Sequence, residues 1–138
     1  MNPFTRDITV RFEHCDAAGI MFYPRFFALV NETVEDWFAS LGYPFKTLHV
    51  DQRKGVPTVR FESEFVAPVR MGDTLRQSLG VDAIGTSSLN LKHLAAVGDR
   101  AVARFDQIVV FTDLATMKAE PWPLELRDAI ANFAGIEA

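Results

Sequence analysis

The chain has 138 residues, 49% of them hydrophobic and 23% charged, which suits one domain over residues 1–138 and leaves no room for a second core. Its 14 Lys and Arg against 18 Asp and Glu give a net charge of −4, which argues against a nucleic-acid binder and mildly against docking an acidic carrier protein. The lone Cys15 excludes an intramolecular disulfide and a multi-cysteine zinc motif, and nothing approaches the ~18 apolar residues of a membrane span or a signal core. The expectation is a soluble cytoplasmic protein with no membrane and no nucleic-acid partner.

A first strand is predicted over about Arg6 to Phe12, where Ile8, Val10 and Phe12 alternate with Thr9 and Arg11. Glu13 to Gly19 reads as a turn. A long helix starts near Pro24, since proline suits the first helical position. Phe26, Phe27, Val30, Val34, Trp37, Phe38 and Leu41 form one wide stripe along it, and Gly42 and Pro44 stop it. Tyr43 to Gly55 is a loop or short helix.

The period then changes to two. Val59, Phe61 and Phe65 share one strand face, with Arg60, Glu62 and Glu64 on the other. After a turn around Gly72-Asp73 come Leu75, Leu79, Val81 and Ala83, then a break at Gly85. Leu89, Leu91, Ala95 and Val97 alternate next, and Gly98-Asp99 signals a hairpin. Ala103, Phe105, Val109 and Phe111 continue the pattern. Leu124, Leu126, Ile130 and Phe133 suggest a short closing helix from Pro123 to Phe133. Short turns favour antiparallel pairing, so the class is α+β: about five strands wrapped around an aromatic helix.

Chemistry concentrates in Phe12 to Pro24. Asp16 lies in a tight loop just before a helix, whose first turn offers free N–H groups and a positive dipole end. That place can hold an oxyanion, and a nearby carboxylate could attack a carbonyl or activate a water. Asp before a helix is also a common turn former or cap, and the residues alone leave both readings open. Strand alternation would set His14 on the side of Asp16, with a structural or rim role favoured. His14, His49 and His93 show no metal-ligand spacing. Cys15 reads as a small buried residue. Glu32, Glu35 and Asp36 should face solvent or a subunit interface. Of Phe22, Phe26, Phe27, Phe61 and Phe65, most should be core, with one or two lining a pocket.

The string Asp16-Ala17-Ala18-Gly19-Ile20-Met21-Phe22-Tyr23-Pro24-Arg25-Phe26 resembles the signature of the 4-hydroxybenzoyl-CoA thioesterase family of the Pseudomonas type, which are hot-dog-fold enzymes. The resemblance extends over Gly55 to Val66, the Gly72-Asp73 turn, Ala101 to Phe111 and Pro121-Trp122-Pro123-Leu124. It implies a hot-dog domain that hydrolyses an aromatic or short-chain acyl-CoA to CoA and the free acid. Asp16 would be nucleophile or general base, and the Tyr23 backbone N–H would polarise the thioester carbonyl. Gly19 would let the loop turn beside the substrate. Phe22 and Phe26, with Thr58, Val59 and Arg60 from a partner subunit, would bind substrate.

The same resemblance implies a homodimer or homotetramer with its site between subunits, and no metal or organic cofactor. Arg53, Lys54, Arg60, Arg70, Arg100 and Lys118 are candidates for the CoA phosphates. Two departures stand out. Ala17 occupies a position that is often Pro in this branch, and Tyr23 replaces the His of many short-acyl relatives, which leans toward an aryl-CoA. The rival readings are a hot-dog dehydratase or hydratase, a non-catalytic acyl-CoA-binding protein, and a thioesterase for acyl-carrier-protein substrates.

Overall fold

The computed structural model describes residues 2–136. Strand β1 (Phe4–Thr9) is followed by a 3-10 turn (Phe12–His14) and helix α1 (Pro24–Ser40). A π-helical turn (Lys46–Asp51) leads to β2 (Lys54–Gly55) and β3 (Thr58–Phe65). The chain continues through β4 (Thr74–Ile84), β5 (Ser88–Val97), β6 (Arg100–Val110), β7 (Thr112–Asp113) and β8 (Lys118–Ala119), and closes with α2 (Leu124–Ala134). The main sheet has five antiparallel strands in the order β1-β4-β5-β6-β3. This is the hot-dog arrangement expected from the sequence.

Helix α1 lies on the inner face of that sheet. Its stripe of Phe26, Leu29, Val30, Val34, Trp37 and Phe38 is buried, as the three-and-four spacing requires. Burying each such side chain contributes about 1.5–3 kcal/mol. The apolar core has two clusters. One gathers around the start of α1 with Leu75, Ala95 and Phe105; the other gathers around its end with Leu79, Leu91, Val109 and α2.

A polar row separates the clusters. Arg6 pairs across from Gln77; Gln77 is diagonal to His93, and His93 to Gln107, which reaches Thr58. Thr33 of α1 faces this row and accepts a 2.8 Å hydrogen bond from Arg6 Nε.

Two expectations are corrected, and one element is added. Strand β1 ends at Thr9 because its ladder with β4 stops at Thr74, and Phe12 stands 81% exposed in the 3-10 turn instead of closing the strand. A bulge in β3 falls between Thr58 and Arg60. It puts Thr58, opposite inward-facing Val109, on the face of Phe61 and Phe65, and leaves Val59 exposed. Strict alternation cannot register an extra residue. Finally, β2, β7 and β8 form a small second sheet. There Lys54 Nζ donates to Asp113 at 3.3 Å and to Glu120 at 2.9 Å, and both carboxylates hold the ammonium above its usual pKa, Glu120 most.

Candidate active site

The loop from Cys15 to Met21 is a small hairpin closed by its own backbone. Asp16 N–H donates to Ile20 O at 3.0 Å, and Phe22 N–H donates to His14 O at 2.9 Å. Met21 N–H donates to Val69 O at 2.7 Å, which anchors the hairpin to the segment before β4. Gly19 sits at φ +79°, a region that L side chains rarely adopt, and its N–H donates to Asp16 O at 3.0 Å. Tyr23, Pro24 and helix α1 follow directly.

Asp16 is exposed. Its Oδ1 accepts the Ala18 N–H at 2.9 Å, so one carboxylate oxygen shapes the turn. Among the described residues Oδ2 has no hydrogen-bond partner. The turn-forming and chemical readings of Asp16 are therefore compatible, one oxygen for each.

Tyr23 occupies the N-cap position of α1, with Pro24 at the first helical position. The Arg25 N–H donates to Phe22 O and the Phe26 N–H to Tyr23 O, which satisfies the first turn. Among the described residues nothing accepts the Tyr23 N–H, and Pro24 has none. One open backbone donor thus stands at the positive end of a 17-residue helix.

A mostly apolar cleft of about 330 Å³ adjoins this point, bounded by Ile20, Met21, Tyr23, Phe26, Phe65 and Pro68. The Phe65 ring centroid lies 5.8 Å from that of Tyr23 and 5.6 Å from that of Phe26. Only Phe26 of the five candidate phenylalanines is buried; Phe22, Phe27 and Phe65 are exposed. The expectation that most are core fails here because, among the described residues, no further element covers the start of α1 or the outer edge of β3.

A larger groove of about 710 Å³ lies mainly over the other face of the sheet. Its charges are already paired, Lys92 with Asp106 at 3.0 Å and Arg104 with Glu64 at 3.4 Å across strands, and Glu62 with Arg60 along β3. The helix start offers an open donor and a free carboxylate oxygen, and it is the better candidate.

Thr58, Val59 and Arg60 are not brought to Asp16 within one protomer. Tyr23 packs on Phe65 at the far end of β3, roughly 23 Å along the strand from Thr58. Arg60 pairs with Glu62. Of the basic candidates, Lys54 is occupied by Asp113 and Glu120, whereas Arg70 is bridged through its backbone to Ile20 beside the loop.

His14 takes a structural part, though not by strand alternation. The Arg11 N–H donates to its Nδ1 at 2.9 Å, which closes the 3-10 turn. Cys15 is half-buried in its bridge to Met21. Glu32 and Asp36 are exposed and pair with Arg6, Asp36 at 3.2 Å.

Sequence reasoning missed the polar row. Gln107 Oε1 lies 2.8 Å from His93 Nε2, and Gln107 Nε2 donates to Thr58 Oγ1 at 2.8 Å. Burial pushes the His93 pKa down, against the hydrogen bond with Gln107. The available signal was a run of polar residues at inward positions: Gln77, His93 and Gln107 each fall on the apolar parity of their strands.

Residues 10–130 match the sequence profile of the thioesterase-like superfamily. A 1,4-dihydroxy-2-naphthoyl-CoA hydrolase from Nostoc punctiforme is 25% identical over 123 residues, covering 89% of this chain and 83% of the relative. Among solved structures, a 1,4-dihydroxy-2-naphthoyl-CoA thioesterase from Synechocystis superposes with a TM-score of 0.86 at 22% identity, covering 94% of this chain and 96% of the other. A gentisyl-coenzyme A thioesterase superposes with a TM-score of 0.83 at 26% identity, covering 92% of this chain and 99% of the other. These names agree with the thioester-hydrolase class expected from the Asp16 motif, without singling out the 4-hydroxybenzoyl branch. With its matched span running from just past β1 into α2, the chain belongs to the thioesterase-like superfamily and carries its hot-dog fold.

Proposed function

We propose that the protein hydrolyses an aromatic acyl-CoA, with a hydroxylated ring of the 4-hydroxybenzoyl kind as preferred acyl group, to CoA and the free acid. The observation that carries this reading is the pairing, on one loop, of a free Asp16 carboxylate oxygen with the open Tyr23 N–H at the start of α1. The thioester carbonyl oxygen accepts from Tyr23 N–H, where the helix dipole favours the negative charge that develops during attack. Asp16 either takes a proton from the attacking water or adds to the carbonyl carbon itself, with water then cleaving the acyl-enzyme. In both routes the C–S bond breaks and the sulfur leaves as the CoA thiol.

Phe22, Phe26 and Phe65 give the aromatic surroundings that suit a flat ring. The dihydroxynaphthoyl and gentisyl groups named for the relatives are of that kind. A homodimer, through the free edge of β3, completes the site with Thr58 and Val59 of the second copy.

Asp16→Asn keeps the acceptor for Ala18 N–H and removes the charge. Thiol release from 4-hydroxybenzoyl-CoA should fall about 10²–10⁴-fold while binding of that ester survives. An Asp16→Asn protein as fast as wild type would remove Asp16 from the reaction. Binding of the ester without turnover by wild type would instead identify a non-catalytic acyl-CoA binder.

A further inference from the structure

The end of the polar row has a direction. Gln107 donates its amide N–H to Thr58 Oγ1, so its Oε1 must accept from His93 Nε2–H. His93 Nδ1 is then a bare lone pair, and it is buried without a partner. Reversing the chain would place an unsatisfied N–H donor at Nδ1, and orphaned donors are the rarer and costlier case in a core. Thr58 Oγ1 therefore accepts from inside, and its own proton points elsewhere. Thr58 is exposed, at the bulge that turns its side chain to the helix side of a free strand edge.

We propose that His93 and Gln107 are positioning residues that fix the Thr58 hydroxyl as a hydrogen-bond donor to a ring oxygen of the acyl group bound by a second copy of the chain. This rests on the thioesterase reading above. Pairing β3 antiparallel with its own copy about the strand midpoint sets Thr58 of the partner subunit opposite Phe65, which packs on Tyr23. Tyr23 N–H takes the carbonyl at the helix start, so Thr58, across the aromatic rim, meets the ring. A hydroxyl committed as donor selects a ring that carries an acceptor oxygen over a bare ring. The buried relay thus sets specificity without touching substrate.

The test compares kcat/KM for 4-hydroxybenzoyl-CoA and benzoyl-CoA. Wild type should prefer the hydroxylated ester by about tenfold, the size of one well-made hydrogen bond. Thr58→Val should abolish the preference by slowing the hydroxylated ester alone, and Thr58→Ser should keep it. Gln107→Glu should also abolish it with Thr58 intact, because a carboxylate accepts the Thr58 proton and reverses the chain; the Thr58→Val, Gln107→Glu double variant should then lose nothing more.

Nitrogen NMR of labelled wild-type protein should show His93 protonated at Nε2 only. That readout and the Thr58 pair decide the matter if Gln107→Glu fails to unfold cooperatively. Equal slowing of both esters by Thr58→Val, no wild-type preference, or a proton on His93 Nδ1 would each overturn the relay while leaving the thioesterase intact. Wild type that hydrolyses neither ester would overturn the thioesterase reading, and the relay with it.

Discussion

Gly19 shows how much of the site depends on one backbone angle. A Cβ built there meets nothing within 4 Å, so Gly19→Ala meets no clash and is strained only by its φ of +79°. Holding an L-residue in that region costs about 1–2 kcal/mol. The hairpin can relieve the strain by opening the Gly19 N–H bond to Asp16 O, which would shift the Asp16 carboxylate held by that turn. Gly19→Ala should therefore lower unfolding stability by about 1 kcal/mol in a urea titration and lower kcat several-fold, with KM much less affected. A variant that loses stability and keeps kcat would show that the turn does not aim Asp16. The same loop explains why its chemistry was readable only through its resemblance to a known signature. An Asp followed two residues later by an N–H is an ordinary turn, and no residue pattern announces that the second carboxylate oxygen is left over.

Strand β3 is where element-level reading succeeded and then failed. Its existence, its charged outer residues Arg60, Glu62 and Glu64, and its antiparallel neighbours follow from alternation and turn residues. So do α1, bounded by Pro24 and Gly42, and the β5–β6 hairpin at Gly98-Asp99. Alternation could not show the bulge at Val59, because a bulge changes parity without changing composition. Nor could it show that β3 is an edge strand, a matter of sheet order rather than of local sequence. The strand is exposed along all of its length except Phe61, and Val59, Phe65 and Val66 add apolar surface to an unpaired edge. Such an edge is normally paired or blunted. Sedimentation of the purified chain should give twice the 15.5 kDa of one protomer. Charging the edge with Val59→Glu and Phe65→Glu together should return it to a single protomer with its far-UV circular dichroism unchanged. A wild-type protomer at micromolar concentration would defeat both the dimer and the shared site.

At the scale of the whole molecule, the core is two apolar halves joined through a polar row, and its one buried titratable member is His93. Burial holds the His93 pKa below its usual value of 6.5, outweighing the hydrogen bond to Gln107 that pulls the other way. Below pH 6.5 the unfolded chain therefore binds a proton that the folded chain refuses, so stability falls as pH falls. The contribution from burying neutral His93 is complete above pH 6.5 and is lost progressively toward the lowered folded value, with a slope of at most about 1.4 kcal/mol per pH unit. Carboxylates act in a separate window. Arg76 beside Asp7, and the Thr116 hydroxyl with Lys54 beside Asp113, hold these two acids below their usual 3.8, so their share is lost only at more acid pH. Urea midpoints measured from pH 8 to pH 5 should be level down to about pH 7 and decline below 6.5. His93→Gln keeps a donor for Gln107 and cannot take up a proton, so it should flatten that decline while shifting the plateau. A decline that persists unchanged in His93→Gln would assign the acid sensitivity to other groups, and would show that the two halves of the core do not meet across a neutral histidine.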